Sequence, residues 1–401
     1  MNTPLISVSE AFKIILVQPA NSKPETVKLQ EALGRIAADD IYAPFDHPHF
    51  DNSAVDGYGI RCEDLPNNPE LKFQVAGEIK AGDNATISLK KNQTVRIFTG
   101  ALVPSCVNAV VMQENVKASP GFIEIIQKDI SAGTNIRKQG HQIHKGEICL
   151  PKGSLLNAAA MGFLASVGIS KVKVTQLPRV AVIVTGNEIT RQGRKLKPGQ
   201  IFESNGVMLG AALMQLNIKP KIFYCKDDLS ATKKIIAAAE KKHDLILVTG
   251  GVSVGDYDFT TAATQSSGFK ALLHGIQQKP GKPLLFARKK NTFLFGLPGN
   301  PRAVLTCWYE YILPFIKSQM GAKDISLKNI SLPAAHEIKK KSDGKTHFVT
   351  GKIINGKIEI LKGQDSDMLR SFAGADVLVT LPAEKEFYPE NEIISAHLLP
   401  Q

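Results

Sequence analysis

From Arg179 onward the chain alternates short apolar runs with helix-like stretches, and each run breaks off into glycines, hydroxyls or acids. The apolar runs are 180–184, 221–224 and 245–249, separated by 205–216 and 229–242, where apolar residues recur at helical spacing. Leu209, Ala212, Leu213 and Leu216 mark the first of those helices, with Asn205 as its predicted N-cap. Such alternation predicts a parallel, doubly wound sheet, and a sheet of that kind binds ligands beyond the carboxyl ends of its strands. Here those ends read Thr185-Gly186-Asn187-Glu188, Lys226-Asp227-Asp228 and Thr249-Gly250-Gly251.

The last of these continues into Val252-Ser253-Val254-Gly255-Asp256-Tyr257-Asp258. Glycines let backbone N–H groups close on a phosphate or oxyanion, and carboxylates just beyond suit a divalent cation bridging to it. Lys279-Pro280-Gly281-Lys282-Pro283 holds two ammonium groups on a stiff turn, as an oxyanion site needs. A β-hairpin is expected over 284–295, followed by Gly296-Leu297-Pro298-Gly299-Asn300-Pro301. That motif opens a helix with Asn300 as N-cap and Pro301 in its first turn. Val304, Trp308, Tyr311, Ile312 and Phe315 form its apolar face. A helix N-terminus adds another anion-binding dipole.

At 401 residues the chain is too long for one core. Residues 7–18 read as an amphipathic helix, 26–35 lead into 36–43 as a helix or strand, and 157–167 are again helical. Between them, glycine-punctuated β runs such as 94–98 and 109–112 predict an inserted β domain, and short alternating runs after 325 predict a β-barrel or sandwich. The expected domains are a helical and extended arm (1–45 and 145–177), the inserted β-rich domain (46–144), the doubly wound domain (178–324) and the C-terminal β-barrel domain (325–401).

A net charge of +12 favours acidic ligands, but the basic residues are scattered and aromatics make up only 6%, which argues against nucleic acid. Five separated cysteines without a CxxC pair suit a reducing, cytoplasmic setting. No secretory signal or membrane span is expected, since no apolar stretch approaches the roughly 18 residues a span requires. His47 and His49 lack a third ligand at metal-binding spacing and read as a polar loop. Neither a GxGxxG after a strand nor a GxxxxGK[ST] occurs, which disfavours a dinucleotide dehydrogenase and a P-loop kinase.

Two further motifs complete a pattern. Phe50-Asp51-Asn52-Ser53-Ala54-Val55-Asp56-Gly57-Tyr58 and Arg96-Ile97-Phe98-Thr99-Gly100, together with the three motifs at 250–258, 279–283 and 296–301, resemble the MoeA/gephyrin E-domain family of molybdopterin molybdenumtransferases over nearly the whole chain. The resemblance implies a homodimer of four-domain subunits whose cleft lies between the doubly wound domain of one subunit and the inserted domain of the other. It implies a reaction of adenylylated molybdopterin with molybdate, assisted by Mg²⁺, giving the molybdenum cofactor and AMP.

By this similarity Glu188, Asp228 and Asp258 are expected to hold metal or nucleotide, and Gly250, Gly251, Ser253, Pro298 and Pro301 the pterin phosphate. Thr185, Gly186, Gly255 and Asn300 join the same binding set. Asp56 and Thr99 support hydrolysis, with Asp258, Lys279 and Lys282 also catalytic. A molybdopterin adenylyltransferase and apo-molybdoenzymes are the partners the resemblance allows.

The chain departs from the family pattern at Gln142, where an acid is common, and at Lys345 to Thr350, where many members carry Arg. It departs again at Gln364-Asp365-Ser366-Asp367, which has two extra acids. A molybdopterin-binding scaffold or carrier, with weak or tungstate-directed activity, is the alternative. The related molybdopterin adenylyltransferase and the competence-damage-type nucleotide amidase share the Gly-Gly loop, but neither accounts for the Asp56 segment.

Overall fold

The computed structural model describes residues 5–20, 22–65, 72–84, 86–252 and 259–400. Its largest sheet orders six strands as Lys221–Cys225, Val180–Thr185, Leu245–Thr249, Thr292–Leu297, Leu285–Lys289 and Lys270–His274. The first four are parallel. The expected hairpin forms from Leu285–Lys289 and Thr292–Leu297, but it lies inside this sheet and runs one strand against the rest.

Apolar residues continue without a polar break along these strands because both faces are covered. Val180, Val182 and Val184 face one cluster with Leu209, Leu213, Val304 and Trp308, whereas Ala181 and Ile183 face another with Ile236, Ala239 and Ala263. Leu245 and Leu247 against Ile246 and Val248 repeat the division. Each fully buried Val, Leu or Ile contributes about 1.5–3 kcal/mol, so this double burial anchors the strand ends where the loops begin.

One detail differs from expectation. Ser204, not Asn205, is the N-cap of helix Asn205–Met214, because Asn205 turns its side-chain amide to the Gly299 carbonyl at 2.8 Å. The first helix, Val8–Leu16, is capped by Ser7 and buries Ala11 and Ile15 in the core beneath the large sheet.

Much of the arm is extended: Pro24–Lys28 pairs antiparallel with Lys171–Thr175, and Ile41–Tyr42, inside the stretch read as helix or strand, with Ile148–Leu150. Helix Ala158–Ser166, capped by Asn157, packs on that ladder through Leu164. The inserted domain is a six-stranded sheet around Ile79, Val95, Ile97 and Val110. In the C-terminal domain Thr346–Ile354, Val377–Leu381, Ile393–Leu398 and Asn329–Pro333 form successive antiparallel neighbours. Gln278–Lys279 adds a short parallel strand to Thr346–Ile354, tying the doubly wound domain to this one.

Candidate active site

Strand Leu245–Thr249 ends buried and delivers Gly250 and Gly251 at φ +92° and +63°, a region that suits glycine. A Cβ on Gly250 would stand 2.7 Å from Thr185 Oγ1, and one on Gly251 2.8 Å from Thr260 Oγ1. The pair is pinned from both sides: Thr260 Oγ1 donates to the Gly250 carbonyl at 2.7 Å and Thr185 Oγ1 to the Thr249 carbonyl at 3.1 Å. Side chains are excluded here, so the backbone itself lines the space beyond.

That space is a cavity of about 380 Å³. Thr185, Glu188, Gly250, Gly251, Asn300 and Pro301 meet on its wall, six of the expected binding residues on one surface. Asp227, rather than Asp228, supplies the acid from the neighbouring strand end. Asp228 caps helix Leu229–Glu240, its Oδ1 accepting the Ala231 N–H at 2.7 Å. A second cavity of about 600 Å³ adjoins the first and shares Glu188 and Asp227 with it, bounded farther out by Gly199, Gln200 and Phe259. Ser253, Gly255, Asp256 and Asp258 lie outside the described residues.

Sequence reasoning missed how the far end of the chain closes this site. Arg302, the second residue of helix Pro301–Cys307, is 1% exposed. Its guanidinium donates to both carbonyl oxygens of Gln364, backbone and side-chain, and to the Phe348 carbonyl. Burial lowers the Arg302 pKa to about 10, with Asp365 acting the other way. Asn300 Nδ2 donates to Ser366 Oγ at 2.6 Å, and Asp367 reaches the cavity wall. The departure at 364–367 therefore sits over the helix start and places an acid in the site. No local pattern signals such a contact across more than 60 residues of chain.

Glu203 and Asn205 also line the cavity and were not expected there. Their only sequence signal is a pair of polar residues flanking the serine that starts a helix.

Lys279 and Lys282 are not on this wall. Their turn packs against helix Pro301–Cys307, where a Cβ on Gly281 would meet Cys307 Sγ at 2.8 Å. Buried Gln278 fixes the turn, donating to the Pro280 and Gly281 carbonyls at 3.1 and 3.2 Å. Lys279 pairs in register with His347, whose imidazole pKa is lowered by burial and by the Lys340 and Lys279 charges, against the pull of Asp343. Asp56 and Thr99 are likewise elsewhere, in the inserted domain. Asp56 Oδ1 accepts the Thr99 N–H at 2.8 Å and its hydroxyl at 2.7 Å, and these bonds hold the carboxyl below the ordinary carboxylate range. Pro298 and Gly186 are close in sequence to the wall but do not line it.

Among the described residues no three His, Cys, Asp or Glu side chains cluster as a metal cage. Glu188, Asp227 and Asp367 nevertheless offer hard oxygen donors, which fits Mg²⁺ held by one or two carboxylates together with substrate phosphate. No helix among the described residues is long and apolar enough to cross a membrane. The cysteines at 62, 106, 149, 225 and 307 are free.

Comparison with known proteins covers almost the entire chain. Residues 6–168 match the MoeA N-terminal region (domain I and II), 181–318 a probable molybdopterin binding domain, and 332–399 the MoeA C-terminal region (domain IV). A molybdopterin molybdenumtransferase of Nostoc sp. is 34% identical, with 99% of this chain and 95% of the relative covered. One from Staphylococcus epidermidis is 38% identical over 79% of this chain and 77% of its own. The crystal structure of a molybdopterin biosynthesis MoeA protein from Pyrococcus horikoshii OT3 superposes with a TM-score of 0.86 at 28% identity, covering 99% of this chain and all of the other.

Proposed function

The chain belongs to the MoeA family of molybdopterin molybdenumtransferases, and on that premise we propose that it inserts molybdenum into adenylylated molybdopterin, taking molybdate and releasing AMP. Its place is in molybdenum cofactor biosynthesis. The observation that carries the specific reaction is the pair of adjoining cavities that share Glu188 and Asp227. A substrate with a ring system at each end of a phosphoanhydride needs two rooms joined at a charged waist. Volumes of about 380 and 600 Å³ lie within the range of small-molecule sites.

Each region of the chain then has a task. The Gly250–Gly251 backbone holds phosphate, and Glu188 and Asp227 at the shared wall would hold Mg²⁺, which when bound would offset the charge of the anhydride. Lys279 and Lys282, on a turn fixed by Gln278, attract the oxyanion. The two dithiolene thiols replace two oxygens of molybdate, which leave with protons as water, and a water attacks the anhydride phosphorus so that the bridging P–O bond breaks and AMP leaves. In a homodimer, the Asp56–Thr99 pair of one subunit completes the cavity of its partner, in keeping with its lining neither cavity of its own chain.

The test is AMP release from adenylylated molybdopterin with Mg²⁺ and either molybdate or tungstate. Release that depends on the oxyanion is expected, and Asp56→Ala or Asp258→Ala should slow it by about 100-fold or more. Unchanged turnover in both variants would refute the assignment of these acids.

A further inference from the structure

The turn that carries Lys279 and Lys282 rests on a buried polar network made of neutral groups. Gln278, Cys307 and Tyr311 are each 0% exposed. The Tyr311 hydroxyl donates to Gln278 Oε1, and Gln278 Nε2 gives its hydrogens to the Pro280 and Gly281 carbonyls. Cys307 Sγ donates to the Gly281 carbonyl as well, at 3.9 Å. The two carbonyls decide which way the amide faces, because a flipped amide would set its oxygen against theirs; Tyr311 then supplies the donor that a buried Oε1 needs. Burial holds the Tyr311 hydroxyl well above the ordinary tyrosine range and pushes the Cys307 thiol up to about 12, so both stay neutral donors. The fit is close. A Cβ on Gly281, whose φ is +90°, would stand 2.7 Å from Gln278 Nε2.

Charge lies only on the outside. Lys279 and Lys282 are exposed, and neither is in an ion pair among the described residues. A turn held by carboxylates would have neutralised those cations, whereas one held by an amide and a hydroxyl leaves them to an incoming anion. An amide at a fully buried position is unfavourable unless its polar atoms are all partnered, and an apolar side chain would fill the space without that demand. Its presence is accounted for if holding the two carbonyls serves the turn.

We propose that Gln278 and Tyr311 are positioning residues for oxyanion capture: the hydroxyl holds the amide, the amide holds the Pro280 and Gly281 carbonyls, and the turn thereby sets where Lys279 and Lys282 leave the chain. This deepens the reading of the two lysines as the groups that attract molybdate and rests on it. Lysine stems flex enough to follow a small shift of the turn. Loosening the turn therefore weakens the grip on the oxyanion and leaves the later bond-breaking steps nearly untouched.

The test is equilibrium dialysis with molybdate as the probe, alongside AMP release from adenylylated molybdopterin over a range of molybdate concentrations. Tyr311→Phe removes only the hydroxyl, and Gln278→Leu removes the amide at nearly the same volume. Each should weaken molybdate binding, and raise the molybdate concentration for half-maximal AMP release, by roughly three- to ten-fold, with the rate at saturating molybdate within about twofold of wild type. Tyr311→Phe carries the test if Gln278→Leu fails to fold. Leu164→Ala opens a cavity in the separate core of the arm, so it should lower the melting temperature and leave molybdate binding unchanged. Unchanged binding in both network variants, or an equal loss in Leu164→Ala, overturns the proposal. So does wild-type affinity in both Lys279→Ala and Lys282→Ala, because the turn then presents nothing to the oxyanion. Weakened binding in the lysine variants beside wild-type binding in Tyr311→Phe and Gln278→Leu would refute the positioning and leave the lysine reading standing. A protein that releases no AMP yet shows the expected losses in dialysis would refute the proposed reaction and leave the positioning standing.

Discussion

Two glycines with opposite expectations show how sharply single positions are constrained. At Gly57, beside Asp56, a Cβ would stand 2.0 Å from the Val111 carbonyl oxygen of the neighbouring strand. Backbone cannot yield as a flexible side chain can, so Gly57→Ala must push neighbouring strands of the inserted sheet away from each other. A loss of about 1–3 kcal/mol is expected in urea denaturation, together with slower AMP release as Asp56 moves off Thr99. Gly162 lies inside helix Ala158–Ser166 with nothing within 4 Å of its Cβ position. Gly162→Ala should therefore stabilise by about 0.5–1 kcal/mol through helix propensity alone, with AMP release unaffected. A stabilised Gly57→Ala or a destabilised Gly162→Ala would contradict the packing described for these two domains.

Between elements, the bond from His397 Nδ1 to Glu310 Oε1, 2.8 Å long, ties strand Ile393–Leu398 to the helical turn Trp308–Ile312. Glu310 raises the imidazole pKa above its ordinary 6.5, against the opposing effect of burial. A folded state that binds the proton more tightly is stabilised most below the unfolded pKa and loses that stability as pH rises through the raised value. His347 has the opposite shift, lowered chiefly by burial, so the pH dependence of the whole protein mixes both signs. The difference between wild type and His397→Gln isolates one: it should be largest below about pH 6.5 and shrink as pH rises, followed by urea midpoints at each pH. A gap that holds constant or widens with pH would show that the ion pair adds nothing to domain docking.

Elements of this kind differ in how far sequence reveals them. Strand Leu245–Thr249 is legible because both of its faces are buried and its residues are apolar throughout. Pro24–Lys28 is not, because its outward residues are charged or polar and its partner lies more than 140 residues away.

At the scale of the whole molecule, the residues that converge are those on the strand ends of one sheet: Thr185, Glu188, Gly250 and Gly251, joined by Asn300 and Pro301. Their meeting follows from a parallel topology that sequence alternation predicts. Asp367 was hidden because its approach depends on how two domains dock through Arg302 and Gln364, and no periodicity encodes that. Asp56 and Thr99 pose the larger question, since they bond each other but line neither cavity of their own chain. If a second copy brings them to the site, the two halves of the machinery can be broken in different subunits and rescued by mixing. Asp56→Ala and Glu188→Ala chains are each expected to be nearly inactive. After joint unfolding and refolding in equal amounts, about half of the dimers contain one chain of each kind. In such a dimer one cavity carries both lesions, while the other combines an intact Glu188 with an intact Asp56. One working site in two, in half of the dimers, gives about a quarter of wild-type AMP release. Activity that stays at the level of the separate variants would mean that each chain builds its site alone, and Asp56 would then need another role.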